Sequence, residues 1–321
     1  MPSEGLRKHS PPARRLRGKS RPVESARRLK RRRKLLNCYI AFIASLILAF
    51  PAAAQDRSDW DQIYLLSGTP ALRLDVLNSN LNLRSCGDCQ TVHIRISAPQ
   101  KNLSDYHVEQ HQIGNSIRFS LKERTPGKHH FVAHAAWSPA IQVEVETPHA
   151  LILNATTAEG LLTASDLSGD ITLQSSDGNQ QLIHLQGTLK LSVSDGHLSL
   201  KNSSGTLDAQ THHSSLDFSG SFSSLHLQAT DGDIKGVLSD ASTLTVASRI
   251  EAFSGSITLR VRRTFNPDLH LEVTEGKIRS NLPLAFELAD ASHQKAHLTP
   301  LGAGPTLTLS SIGGSLRLYT R

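Results

Sequence analysis

The sequence predicts an all-β fold: a parallel β-solenoid with about 18 residues per coil, preceded by alternating β-strands. Three observations predict it. Glycines at 160, 169, 178, 187, 196 and 205 recur every nine residues. An apolar residue follows two positions later in eight of the nine units from Gly160 to Gly232. No proline occurs between His149 and Asn266. A short fixed period is the signature of stacked repeats, and strands that pair on both sides exclude proline.

The repeat unit reads as a turn followed by a short strand. Leu162, Ile171, Leu189, Leu198, Leu207, Leu216, Leu225 and Ile234 hold the first inward position, with Gln180 as the exception. Two residues later come Ala164, Leu173, Leu182, Leu191, Leu200, Ala209, Phe218, Leu227 and Gly236. Side chains two apart on a strand point the same way. The residue before each turn alternates between two sets: Glu159, Asp177, Asp195, His213 and Asp231, then Ser168, Gln186, Ser204 and Phe222. Each set recurs at every second turn, which makes one coil two strands and two turns. Eighteen per coil places Lys190 beside Asp208 and Asp217 beside Lys235, whereas nine would stack Asp208 on Asp217 as like charges. About eight coils at ~4.8 Å each are expected.

The segment 70–150 has period two without the glycine repeat: Leu72-Arg-Leu74, Val92-His-Ile94, Ile117-Arg-Phe119 and Ile141-Gln-Val143. Such alternation marks half-buried strands. Looser copies of the unit come later, at Gly255, Gly276 and Gly314. The organisation expected is a leader over 1–54, a linker over 55–69, N-terminal strands forming a cap over 70–150, and solenoid repeats over 151–321. Open solenoid ends are sheet edges that need covering. The 70–150 strands are expected to cover one, and the proline-containing segment near 283–305 the other.

The chain carries 35 Lys+Arg against 28 Asp+Glu, a net +7. Residues 1–34 hold 14 of the cations and two of the acids, so the chain beyond the leader has 21 cations and 26 acids. That excess of negative charge excludes nucleic acid as a partner of the folded part. Arg31-Arg-Arg-Lys34 precedes an apolar run from Leu35 to Phe50, then Pro51-Ala-Ala-Ala54-Gln55. A basic region, a short apolar region and small residues at Ala52 and Ala54 make a secretory signal cleaved before Gln55. The competing reading is a retained N-terminal transmembrane anchor, although the run is short of the ~20 residues that span a bilayer. Either leaves the chain outside the cytoplasm, in the periplasm or at the cell surface.

Four features carry candidate chemistry. The carboxylates Glu159, Asp177, Asp195 and Asp231 stack if the two-strand coil holds. Their repulsion could be relieved by Ca²⁺, or each Asp simply caps its own turn. Cys86 and Cys89 flank a four-residue turn, short enough for a disulfide in an exported protein. A redox role would need a helix after the first cysteine, and zinc would need two more ligands. Histidines are numerous, with His129, His130 and His134 in one region and His212-His213 at a turn. Arg260, Arg262 and Arg263 form a small basic group. No G-x-S-x-G elbow, phosphate loop or H-E-x-x-H occurs, and no catalytic residue is assigned.

The strings S-G-D-I-T-L (Ser168–Leu173), S-D-G-H-L-S-L (Ser194–Leu200), T-D-G-D-I (Thr230–Ile234) and S-G-S-I-T-L (Ser254–Leu259) resemble a bacterial β-strand-repeat domain of unknown function known as a "putative adhesin". Asn78-Ser-Asn80 and V-E-V-E-T-P (Val143–Pro148) resemble its lead-in, and the likeness covers about residues 70–320. The resemblance implies an exported β-solenoid at the cell envelope, with no catalytic residues to carry over. The function expected is a non-catalytic binding, adhesin-like or scaffold module facing a glycan or protein surface. The alternatives are a membrane-anchored envelope-stress sensor and a carbohydrate-active β-helix enzyme.

Overall fold

The computed structural model describes residues 60–98, 103–124, 141–265, 267–299 and 304–320. All lie in the second of the two units, 1–55 and 56–321, into which the chain divides. Among the described residues the one helical element is a 3-10 turn at Leu103–Asp105. Everything regular besides it is strand.

The strands form a parallel β-solenoid whose coils each give one strand to each of two sheets. The first sheet runs Ser116–Glu123, Ala71–Val76, Ala150–Glu159, Ser168–Asp177, 186–195, 204–211, 222–229, Ser248–Ser254, Thr306–Ile312 and Asp268–Thr274. The second runs Gln142–Thr147, Asn80–Ser85, Leu162–Ser165, Gln180–Ile183, 198–201, 216–219, Ile234–Leu238, Ile257–Val261, Leu316–Thr320 and Ile278–Ser280. Ten coils are thus described, two more than the glycine repeat implies. Ser168 pairs with Gln186, Gln180 with Leu198, and Leu216 with Ile234, in every case two periods of the glycine repeat. The register slips between Leu200 and Ser203 and between Gly205 and Thr206. It lengthens to 23 where His226 meets Arg249.

The order of coils in space is not their order in the chain. The first coil in the sequence, 71–85, lies between the coil of 116–147 and that of 150–165. The last, 306–320, is threaded between 248–261 and 268–280. Antiparallel strands then cover both sheets at one end and the first sheet at the other, where Ile278–Ser280 is the outermost strand of the second. Tyr106–Ile113 covers Ser116–Glu123, and Thr91–Ser97 covers Gln142–Thr147 with Trp60–Leu65 outside it. At the other end His293–Leu298 and Ala285–Ala289 cover Asp268–Thr274. Turning the outermost strands antiparallel stops the stack from recruiting another parallel coil. The Trp60 ring meets Phe119 at 5.5 Å. Burial pushes the nearby Tyr64 phenol up to about 12, and its hydroxyl bonds Gln110.

The core is a set of aliphatic columns. Leu153 faces Ile171, which faces Leu189, and Leu207 faces Leu225. All five are at most 1% exposed, and each such side chain contributes roughly 1.5–3 kcal/mol. Phe218 is accommodated by Gly236 directly opposite, where any Cβ would meet its ring. Gln180 interrupts the column of Leu162, Leu198 and Leu216. It is fully buried, its amide nitrogen donates to the Ser192 carbonyl at 3.0 Å, and its Oε1 has no partner among the described residues. Gln180→Leu is therefore expected to raise stability by about 1 kcal/mol. A higher urea midpoint at unchanged m-value reads it.

The nine-residue glycine period has a steric cause. Gly187 (φ 111°) lies against Gly169 of the preceding coil, and Gly178 (φ 148°) against Gly160. A Cβ at either would overlap the carbonyl oxygen beneath it. Each coil has two such corners, and in the coils 168–183 and 186–201 both are glycine.

Candidate functional site

The outward positions of both sheets form rows across the coils. Thr156, Gln174 and Ser192 stand side by side on the first sheet, as do Gln210 and Gln228. Thr163, Gln181 and Ser199 do so on the second. Hydroxyls and amides both donate and accept, so these flat faces offer many weak polar contacts.

Two concavities break the flatness. One, of about 400 Å³, accompanies the register slip and is lined by Asn202, Ser203, Ser204, Ser219, Ser221 and Ser239. The other, of about 370 Å³, lies on the first sheet where the C-terminal coil is threaded in. There Glu251, Ser310 and Glu272 are direct neighbours across three strands. Phe253 and Ile312 beside them are 40% and 46% exposed. Exposed apolar side chains beside carboxylates and hydroxyls are the lining a sugar-binding site uses: the ring covers C–H surface and the polar groups take hydroxyls. Arg249 pairs with Glu251. Lys295 donates to Glu272 at 2.9 Å and His293 contacts it at 2.9 Å.

The Lys295 hydrogen bond, helped by His293, holds Glu272 below the usual carboxylate range despite its partial burial. A general acid needs the opposite shift, so Glu272 is not set up for that role. Because the folded value is depressed, the stabilisation is present above the unfolded value near 4.5 and is lost as pH falls through the folded one. Glu272→Gln is expected to cost about half a kcal/mol at pH 7 after solvent screening. The gap should close as pH falls below 4.5, read by urea unfolding at the two pH values.

The structure stacks Glu159, Asp177 and Asp195 in one column. It does not gather Asp231 with them. His213 stands between, with Nδ1 3.5 Å from Asp195 and Nε2 3.5 Å from Asp231. Among the described residues no group of three or more His, Cys, Asp or Glu side chains is placed to hold a metal ion. The column's geometry is that of successive Asp-before-Gly turns, with an imidazole inserted between two of the carboxylates.

Cys86 and Cys89 are joined, with Cα atoms 5.8 Å apart. Their turn is tied to the adjacent coil: Cys86 N–H donates to the Thr147 carbonyl and His149 N–H to the Gly87 carbonyl. The signal residues Ala52, Ala54 and Gln55, and His129, His130 and His134, lie outside the described residues. No helix among the described residues is long and apolar enough to cross a membrane.

The sequence alone does not single out Phe253, Glu251, Ser310 and Glu272. They come together only because residues 306–312 enter between strands 248–254 and 268–274. An aromatic residue at an outward position shortly before Gly255 is the one available signal.

A sequence profile of the Toastrack DUF4097 family matches residues 73–299, and the chain belongs to that family. Two crystal structures match over most of the chain. One, described as "a putative cell adhesion protein" from Clostridium sporogenes ATCC 15579, is 9% identical with a TM-score of 0.29, over 82% of this chain and 99% of that one. The other, "a putative adhesin" from Bacteroides fragilis NCTC 9343, is 12% identical with a TM-score of 0.39, over 82% and 96%. No curated protein sequence matches.

Proposed function

We propose that this chain is an exported cell-envelope β-solenoid that acts as a non-catalytic, adhesin-like binding module for glycans or protein surfaces. The observation that carries the reading is the groove of Phe253, Ile312, Glu251 and Glu272, set in sheet faces that elsewhere carry rows of hydroxyls and amides. Export is supported by the basic and apolar segments that precede Ala52 and Ala54. The hydrogen bonds from Lys295 and His293 that lower the Glu272 pKa argue against a general-acid role for it.

A panel of immobilised polysaccharides tests it. At least one should retain the protein without release of new reducing ends, and Phe253→Ala should weaken that retention about five- to tenfold. Release of reducing ends that Glu272→Gln abolishes would make it an enzyme instead. Protease treatment of intact cells tests the layer. Cleavage from outside fits an adhesin, and protection until the outer envelope is opened leaves a periplasmic scaffold or sensor.

A further inference from the structure

The second sheet changes character over its last three coils. Its outward side chains there come from the strands Ile257–Val261, Leu316–Thr320 and Ile278–Ser280. They are Thr258 and Arg260, then Arg317 and Tyr319, then Arg279, with no carboxylate among them. The register puts Lys235, Thr258, Arg317 and Arg279 in one line across four adjacent strands. Arg260 and Tyr319 are neighbours in the next line.

Arg317 and Arg279 are directly opposed, about one strand spacing apart. Like charges so placed repel. Arg73 and Arg118 are opposed in the same way on the first sheet, but Arg73 has Asp75 at 3.6 Å. Arg95 has Glu144 and Glu146 at 3.3 and 3.2 Å, Arg84 pairs with Glu146, and Arg262 with Asp240. Arg260, Arg279 and Arg317 have no ion-pair partner among the described residues. Lys235 lies 3.8 Å from Asp233 and stands opposite Asp217 on the neighbouring strand. A chain whose non-leader part is net negative thus places three arginines without an ion-pair partner among the described residues close together on one sheet face.

From this geometry we infer that the line Lys235–Arg317–Arg279, flanked by Arg260 and Tyr319, is a binding site for a linear acidic polysaccharide. The inference rests on the reading of this protein as a glycan-binding module and names the ligand class for a second surface. Three arguments select that class. Arg317 and Arg279 lie on successive coils along the solenoid axis, with Lys235 two coils from Arg317 beyond Thr258. One strand spacing is close to the length of one sugar residue, so a polymer with one anion per residue can meet Arg317 and Arg279 with adjacent residues. Guanidinium forks bind carboxylate and sulfate through paired hydrogen bonds. Tyr319 supplies a ring on which a sugar can lie. A membrane surface fits less well. None of the exposed large apolar side chains belongs to these three strands, and interfacial binding uses an apolar anchor beside the charge.

The test uses the full chain with polygalacturonate, dextran sulfate, neutral dextran and phosphatidylglycerol vesicles as probes. The 14 cations of residues 1–34 would attract polyanions too, so each variant is compared in two backgrounds, native and Arg31→Ser/Arg32→Ser/Arg33→Ser/Lys34→Ser. In both, Arg279→Ser/Arg317→Ser should weaken binding to one of the acidic polymers about tenfold. It should also flatten the dependence of log Kd on log salt by about one to two. Arg279→Lys/Arg317→Lys should keep most of the salt dependence, and an unchanged urea midpoint in each variant excludes misfolding. The inference is overturned by three results: an equal affinity of the double Ser variant, binding to dextran as tight as to the charged polymers, or binding to the vesicles alone. Retention of neutral glycans by the Phe253 groove would survive any of these, which separates failure here from failure of the broader reading.

Discussion

Gly187→Ala is expected to destabilise the protein by about 3–5 kcal/mol, enough to consume much of the stability of an ordinary domain. Two costs add. The backbone at Gly187 has φ 111°, a region where an L side chain is strained by about 1–3 kcal/mol. The new Cβ would also overlap the carbonyl oxygen of Gly169 in the coil beneath. That oxygen is backbone and cannot rotate away, so the coils must separate at this corner. Separation lengthens the ladder bonds between 168–175 and 186–193 and opens the column of Ile171 over Leu189. Gly87→Ala is the matched control. Its φ is also positive, 77°, but nothing lies within 4 Å of the added Cβ. It should cost about 1 kcal/mol, the conformational term alone. Urea unfolding of both variants separates stacking from backbone preference. Equal losses would show that inter-coil contact does not select glycine at these corners.

The same corner explains how much of the fold is legible in the sequence. A glycine at the turns, an inward aliphatic two residues on, and acidic residues alternating with Ser, Gln or Phe before the turn are imposed locally, coil upon coil. They are visible over 160–236 for that reason. The pairing of Asp217 with Lys235 comes from the same spacing. Beyond 236 the connection lengthens, Arg249 in place of Leu244 answers His226, and the phase is lost. The position of the terminal coils is not readable at all. Residues 71–85 and 306–320 have the same alternation as any other coil, and a parallel strand does not encode which neighbour it will have. Only burial on both sides, Leu74 between Phe119 and Ala155 for example, distinguishes an internal coil from an end one.

The candidate sites inherit that limit. Ser and Thr rows are a direct product of the repeat. The groove and the cationic line are not, because each joins strands distant in sequence through the threaded C-terminal coil. Phe253 and Ile312 become neighbours that way, and so do Arg317 and Arg279. Both surfaces therefore depend on residues 306–320, on opposite sheets of the same coils. Ligand binding at either should stabilise the threaded arrangement by mass action.

Removing residues 300–321 should accordingly do far more than peel off an end. In a solenoid wound in chain order, loss of the last coil exposes one new edge and leaves the rest standing. Here the lost strands are the sole parallel partners joining 248–261 to 268–280. The cap strands His293–Leu298 and Ala285–Ala289 attach only through Asp268–Thr274. Truncation therefore strands residues 268–298 as a three-stranded piece with no partner beneath it, and short isolated sheets are marginal in water. The expected result is unfolding of 268–298 with survival of the coils from 116–147 to 222–238. Hydrogen exchange should show amides of Leu271 and Val273 losing protection while those of Leu189 and Leu207 keep it. If 268–298 instead stayed protected, those strands would have closed directly onto 248–261. The threaded coil would then be an insertion that the stack can do without.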